Sequence, residues 1–306
     1  MAAVQQDGNK LKVPTPVNEC AFHVSAADNV CSDKFTLDKM KEFIKNLKGP
    51  NPEIDNANTA QIVEIAKQAT GCDSEVCILK NSEFSQFIGP VQADEVLRDR
   101  FKPAGPANST EWLNNDNIDY VLQQWSKKYP DFVHIPFQMI DFDVMRTELA
   151  SVDLVSLYES DMRKLGCVIN TDKSTGRGVH WFCVFIDLSN SGESGQKWTL
   201  EYFDSAGDYP KPSVHKWLNE QRSKLASKFS FKDIQVIDVT KSNQLQHSTT
   251  ECGVFSLWYI LSRLNGIPYS YFSQPNASND NMMYQFRKFL FRHDLKKSGG
   301  NQKNKQ

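Results

Sequence analysis

The run Val179-His180-Trp181-Phe182-Cys183-Val184-Phe185-Ile186-Asp187-Leu188 is almost wholly apolar and rich in aromatic and β-branched side chains. At that length, such a composition favours a buried strand over a helix. A Ser/Gly-rich loop, Ser189 to Gly195, follows it. Trp198-Thr199-Leu200-Glu201-Tyr202-Phe203-Asp204 then alternates as a strand does, and Ser205-Ala206-Gly207 turns the chain away. Pairing the two strands as a hairpin with Leu188 opposite Gln196 sets His180 opposite Asp204 at one edge of the sheet.

Working outward, the elements around this hairpin are mixed. Leu37, Met40, Phe43, Ile44 and Leu47 fall on one face of a helix predicted over 36–47, with Thr36 as N-cap. A second helix is expected over 59–69, stopped by Gly71. Everything before about residue 102 reads as helical, without strand-like alternation. Lys102-Pro103-Ala104-Gly105-Pro106-Ala107-Asn108-Ser109 is turn-rich and marks the best domain boundary. Beyond it come an amphipathic helix carrying Ile118, Val121, Leu122 and Trp125, an extended stretch over 133–140 and a short strand over 164–169. After the hairpin come a helix over 213–229 capped by Ser213, a strand over 234–239, and a last helix over about 279–291. That order describes an α+β core of residues 111–295 behind a helical arm of residues 1–110, with a basic tail over 296–306.

Composition narrows the function classes. The 306 residues are 40% hydrophobic and 24% charged, with a net charge of −2. No global field draws the chain to nucleic acid or to a membrane surface, and the arm has no Lys/Arg run interleaved with aromatics, so nucleic-acid binding is not favoured. No apolar run approaches the ~18 residues of a membrane span, and the start has no signal-peptide pattern. The seven cysteines lack the spacing of a secreted disulfide scaffold, which points to reduced thiols in an intracellular setting. Four of them, Cys20, Cys31, Cys72 and Cys77, lie in the arm. A zinc site would call for a Cys-x-x-Cys knuckle, and their irregular gaps make buried free thiols the expectation, with no metal or cofactor.

The chemistry gathers around Gln246-His247-Ser248-Thr249-Thr250-Glu251-Cys252-Gly253, where a polar loop meets the apolar helical run Val254 to Leu264. A thiol at a helix N-terminus ionises more readily, and the thiolate is the nucleophile. His180 beside Asp204 is the base and orienter that such a thiol needs. Acyl transfer also needs oxyanion donors: the Cys252 N–H is one, and Gln246 or its rival Gln244 offers a second. Each element alone is weak. A cysteine heading an apolar helix is more often core, a histidine before a strand is usually a polar edge, and Asp-Ser-Ala-Gly is an ordinary turn. Their order along the chain and the hairpin geometry give them joint weight.

His180-Trp181, Tyr202-Phe203-Asp204-Ser205 and Gln246 six residues before Cys252-Gly253 resemble the adenoviral-protease and SUMO-protease superfamily. Within it they are similar to the polyprotein-processing cysteine proteases of African swine fever virus and other large DNA viruses. The segments 71–77, 100–106, 117–119, 170–176, 201–203 and 250–253 extend the resemblance over most of the chain, arm included. It implies a papain-like core with a central mixed sheet behind the arm, and cleavage of viral structural polyproteins after Gly-Gly-Xaa during virion maturation. It assigns His180 as base, Asp204 as its partner, Cys252 as nucleophile and Gln246 to the oxyanion hole, with Trp112, Asn117 and Trp181 near the substrate channel. It places the enzyme in the virion and host cytoplasm, and leaves open a monomer or a dimer through the arm. Isopeptidase action on ubiquitin-like modifiers and acyl transfer share the chemistry. The African swine fever enzyme departs in having asparagine where this chain has Asp204. Gly299-Gly300-Asn301 in the tail has the form of such a cleavage site.

Overall fold

The computed structural model describes residues 5–7, 10–15, 18–50, 52–189, 197–241 and 243–292. Residues 108–290, joined by the described part of the first sixteen, form one compact unit; residues 17–107 with Phe291 and Arg292 form a second. The start of the chain thus departs from the expectation of a helical arm over 1–110. A short antiparallel hairpin, β1 (Gln5–Asp7) and β2 (Lys10–Lys12), opens it. Leu11 is buried, and its N–H donates to the Tyr271 hydroxyl at 3.1 Å. Three-residue strands are too short to show alternation, which is why the sequence pattern misses them.

The smaller unit is built of helices α1 (Lys34–Lys48), α2 (Thr59–Thr70), α3 (Glu75–Lys80), α4 (Ser82–Ile88) and α5 (Pro90–Arg100). Asp33, not Thr36, caps α1: its carboxylate accepts from the Thr36 N–H, because the cap must stand three residues ahead of the donor it satisfies. Asn58 and Gln61 close α2 in a capping box, and Gly71 ends it in the left-handed region at φ 69°. The unit's core holds Met40, Ile44, Ile54, Ile78, Leu79 and Phe84.

The expectation of free thiols here is overturned by two disulfides, Cys20–Cys31 and Cys72–Cys77. Backbone contacts bring each pair together without any motif spacing. Cys20 bridges to Phe101, while Cys31 donates its N–H to Glu75 and accepts from Arg100 through its carbonyl. Gly71 turns Cys72 back toward the first turn of α3, which carries Cys77.

The larger unit has a five-stranded sheet in the order β3 (Phe132–Met139), β4 (Lys164–Asn170), β5 (Trp181–Asp187), β6 (Lys197–Phe203) and β7 (Asp233–Asp238). The two outer pairs are parallel and the inner pairs antiparallel, so the sheet is mixed. Around it lie α6 (Asn115–Lys128), α7 (Pro212–Lys228), α8 (Cys252–Leu264) and α9 (Asp280–Leu290). Lys211 takes the N-cap position of α7 instead of Ser213, because Pro212 fits the first helical turn; the Ser213 hydroxyl donates to the Ile140 carbonyl.

Both faces of the inner strands are covered, which explains their unbroken apolar run. Phe182, Val184, Ile186, Leu200 and Tyr202 pack with Val214, Trp217 and Leu218 of α7. On the other face Phe203 stacks on Tyr259 of α8 at 4.3 Å, and Arg263 lies over Phe185. Every residue of α8 is buried. It is a central helix, apolar nearly all round, and its Arg263 pairs with Glu201 and Asp187. Fixing α8 against the sheet fixes Cys252 at its first turn.

Candidate active site

The hairpin register differs from the expected one by two residues. Asp187 pairs with Thr199 and Cys183 with Phe203, where the ladder ends. A two-residue shift keeps every side chain on its face, so His180 and Asp204 still meet. His180 Nε2 lies 2.7 Å from Asp204 Oδ1. The backbone holds His180 from behind. Its carbonyl accepts from the Thr171 N–H, and Asn170, almost fully buried, takes the Asp172 and Val179 N–H groups on its side-chain oxygen.

Asp204 is 0% exposed and is held at every polar atom. Oδ1 also accepts the Ala206 N–H at 2.9 Å, and Oδ2 accepts the Tyr202 hydroxyl at 3.1 Å. Thr240, in the turn just after β7, exchanges bonds with the Asp204 N–H and carbonyl. Burial and the Asp204 charge push the Tyr202 hydroxyl far above its usual range, which keeps it a donor.

With Nε2 committed to Asp204, Nδ1 is the ring nitrogen left to serve Cys252. Burial disfavours the charged form of His180. The hydrogen bonds and negative charges of Asp204 and the Cys252 thiolate outweigh it, and the imidazolium is held to about pKa 10. Cys252 heads α8, with the helix dipole behind its thiol. The other free thiols, Cys167 and Cys183, are fully buried and pushed well above the ordinary range by burial, so they stay protonated.

The loop ahead of Cys252 is pinned at both ends by α9. Asp280 accepts the His247 and Ser248 N–H groups at 3.0 and 2.9 Å. Arg287, two turns on, donates to Glu251 at 2.7 Å and to the Thr250 carbonyl at 3.1 Å. Of the two candidate amides, Gln246 is buried and Gln244 is exposed. Gln244 donates to the Gln246 carbonyl, bracing it. Gln246 gives one Nε2 proton to the Ser248 carbonyl at 2.7 Å, which leaves a second N–H on the same nitrogen.

The three residues assigned to the substrate channel fare differently. Trp181 is 6% exposed; its indole N–H donates to the Leu113 carbonyl at 3.1 Å, and its ring meets Phe137 edge-on. Gly253 sits beneath it: a Cβ there would lie 3.2 Å from the Trp181 ring and 3.3 Å from Leu113. Trp112, next to Leu113, is half exposed. Asn117 is buried and closes a capping box with Asn114 at the start of α6, a task that occupies its side-chain oxygen.

A nucleophilic thiol, a charged imidazole, a buried carboxylate and an adjacent amide can together carry out acyl transfer through a thioester. The profile of the Ulp1 protease family, C-terminal catalytic domain, matches residues 162–298. A cysteine protease of African swine fever virus, S273R, is 32% identical over 296 residues, covering 92% of this chain and 97% of its own length. The chain belongs to the Ulp1 family of cysteine proteases. A second African swine fever virus relative, named SUMO-1 cysteine protease S273R, matches to the same extent. The crystal structure of the African swine fever virus pS273R protease superposes with a TM-score of 0.72 at 30% identity, over 92% of this chain and 97% of that one. The protease is therefore a cysteine peptidase acting on polypeptide, with a Ulp1-type fold and a helical N-terminal region. Among the described residues, no helix is long and apolar enough to cross a membrane.

Sequence reasoning missed Tyr202, Thr240 and the two α9 residues that hold the loop. Tyr202 could have been found, since two residues along a strand share a face with Asp204. Asp280 and Arg287 carry no local signature.

Proposed function

We propose that this protease cleaves viral structural polyproteins after Gly-Gly-Xaa during virion maturation, in the virion and host cytoplasm. The observation that carries the reading is the seat of the nucleophile. Cys252 is only 3% exposed, and its neighbour Gly253 is packed under Trp181 and Leu113. A chain that reaches such a sulfur has to be slender, and glycine is the residue without a side chain to obstruct it.

Cys252 thiolate attacks the carbonyl carbon of the scissile bond. The Cys252 N–H and the remaining Gln246 Nε2 proton receive the charge that develops on oxygen. The His180 imidazolium gives its proton to the departing amine, which leaves a thioester; His180, now neutral, takes a proton from the water that hydrolyses it. Asp204 orients the ring and favours its charged form. The test compares Gly-Gly-Xaa peptides with matched Ala-Ala-Xaa peptides, using wild type and Cys252→Ala. Cleavage confined to wild type and to the glycine series is expected; equal turnover of both series would sink the specificity.

A second reading, removal of ubiquitin-like modifiers whose tails end in Gly-Gly, is favoured by the name of one relative, a SUMO-1 cysteine protease. Turnover of a SUMO conjugate faster than of a polyprotein fragment would select it.

A further inference from the structure

Residue 205 lies between the two halves of the site and has no role so far. Ser205 is 1% exposed, and its hydroxyl donates to Gln246 Oε1 at 2.7 Å. Its carbonyl accepts from the N–H groups of Leu245 and Gln246, both at 2.9 Å. The turn that delivers Asp204 to His180 therefore also grips the Gln246 segment, through side chain and backbone. Gly207 ends this turn at φ 78°, and a Cβ there would come within 3.1 Å of the backbone at Asn243 and Gln244.

A primary amide is nearly symmetric in shape, and its last torsion is broad and two-fold. What sets its direction is therefore its partners. At Gln246 the two partners agree. The Ser248 carbonyl can only accept, so it needs Nε2, while the Ser205 hydroxyl presents a proton to Oε1. We propose that Ser205 is a positioning residue for the oxyanion hole, holding the Gln246 amide with its free N–H toward the developing charge. This rests on the oxyanion role given to Gln246 above. Without the hydroxyl, Oε1 is left buried and unpartnered, and only the Ser248 carbonyl remains to hold the amide in place.

The experiment uses the full chain and measures two rates on each variant: peptide hydrolysis, and alkylation of Cys252 by iodoacetamide. Alkylation displaces iodide at a saturated carbon, so it depends on the thiolate and His180 but develops no oxyanion. Ser205→Ala is expected to lower kcat about 10- to 100-fold, part of what loss of an oxyanion donor costs, with KM and the alkylation rate each within about twofold. Ser205→Thr, which keeps the hydroxyl, should restore most of kcat. In a Gln246→Ala background the Ser205→Ala change should cost less than about twofold, because the group it acts through is gone. An equal fall in hydrolysis and alkylation would overturn the proposal, placing the effect at His180 or in the fold. So would an undiminished Ser205→Ala effect in the Gln246→Ala background. Full kcat in Gln246→Ala itself would instead refute the oxyanion role of Gln246, and this proposal with it.

Discussion

Replacing Asp204 by Asn tests the electrostatics of the site with little change of shape. The amide oxygen can still accept from His180 Nε2, so tautomer and ring orientation are kept while the negative charge is lost. His180 rises from its ordinary 6.5 to about 10 under the combined pull of Asp204 and the Cys252 thiolate against burial. At ~1.4 kcal/mol per pH unit that is roughly 5 kcal/mol in favour of the imidazolium. A buried opposite charge at hydrogen-bond distance accounts for about one to three pH units of such a rise. Because the folded-state value is raised, the charged ring persists below it and is lost as pH climbs through it. The alkaline limb of activity should therefore fall from about 10 in wild type to about 7–9 in Asp204→Asn. With the limb at 8, roughly a tenth of the ion pair survives at pH 9, and most of it survives at pH 7. The assay is kcat/KM against pH, fitted as the macroscopic titration of the coupled pair. Alkaline limbs that coincide in the two proteins would show that Asp204 does not hold the proton on His180.

Three further outcomes follow from the same geometry. Tyr202→Phe removes the donor on Asp204 Oδ2 at 3.1 Å; kcat/KM should fall about 2- to 13-fold, matching the ~0.5–1.5 kcal/mol of one hydrogen bond, and an unchanged value would show that the hydroxyl does not steady the carboxylate. Arg287→Met strands the buried Glu251 carboxylate beside Cys252, which should cost about 3–5 kcal/mol in urea unfolding; a loss below about 1 kcal/mol would mean that the loop relaxes to water. Gly207→Ala combines a left-handed φ with a collision against backbone at 3.1 Å, and a drop of about 1–3 kcal/mol in stability is expected by chemical denaturation; wild-type stability would contradict the close approach of the two turns.

What the sequence made legible, and what it hid, divides along physical lines. The hairpin is readable because strands buried on both faces are continuous apolar runs. Its register is off by two because a Ser/Gly-rich segment joins the strands, and loop length alone does not fix pairing across it. The meeting of His180 and Asp204 survives that error because side chains alternate with period two. Gln246 and Gln244 are indistinguishable by composition, and burial separates them. Glu201 with Arg263 and Glu251 with Arg287 are pairs across 62 and 36 residues. Such pairs leave no periodic trace, and neither does either disulfide of the arm. Asn117, chosen by analogy, turns out to be tied into a helix cap three residues long in sequence, a pattern that Asn114 already displays. The Gly299-Gly300 tail lies outside the described residues.

The way the cysteines are partitioned has a consequence for oxidative damage. A peroxide that reaches Cys252 converts its thiolate to a sulfenic acid, and the usual rescue inside a protein is condensation with a neighbouring thiol. Here the four arm cysteines are already joined in pairs, and Cys167 and Cys183 are sealed in the core in their unreactive form. The chain supplies no resolving partner of its own. Recovery of the oxidised enzyme must come from a small thiol in solution, so its activity should follow the external reductant supply and not any internal exchange.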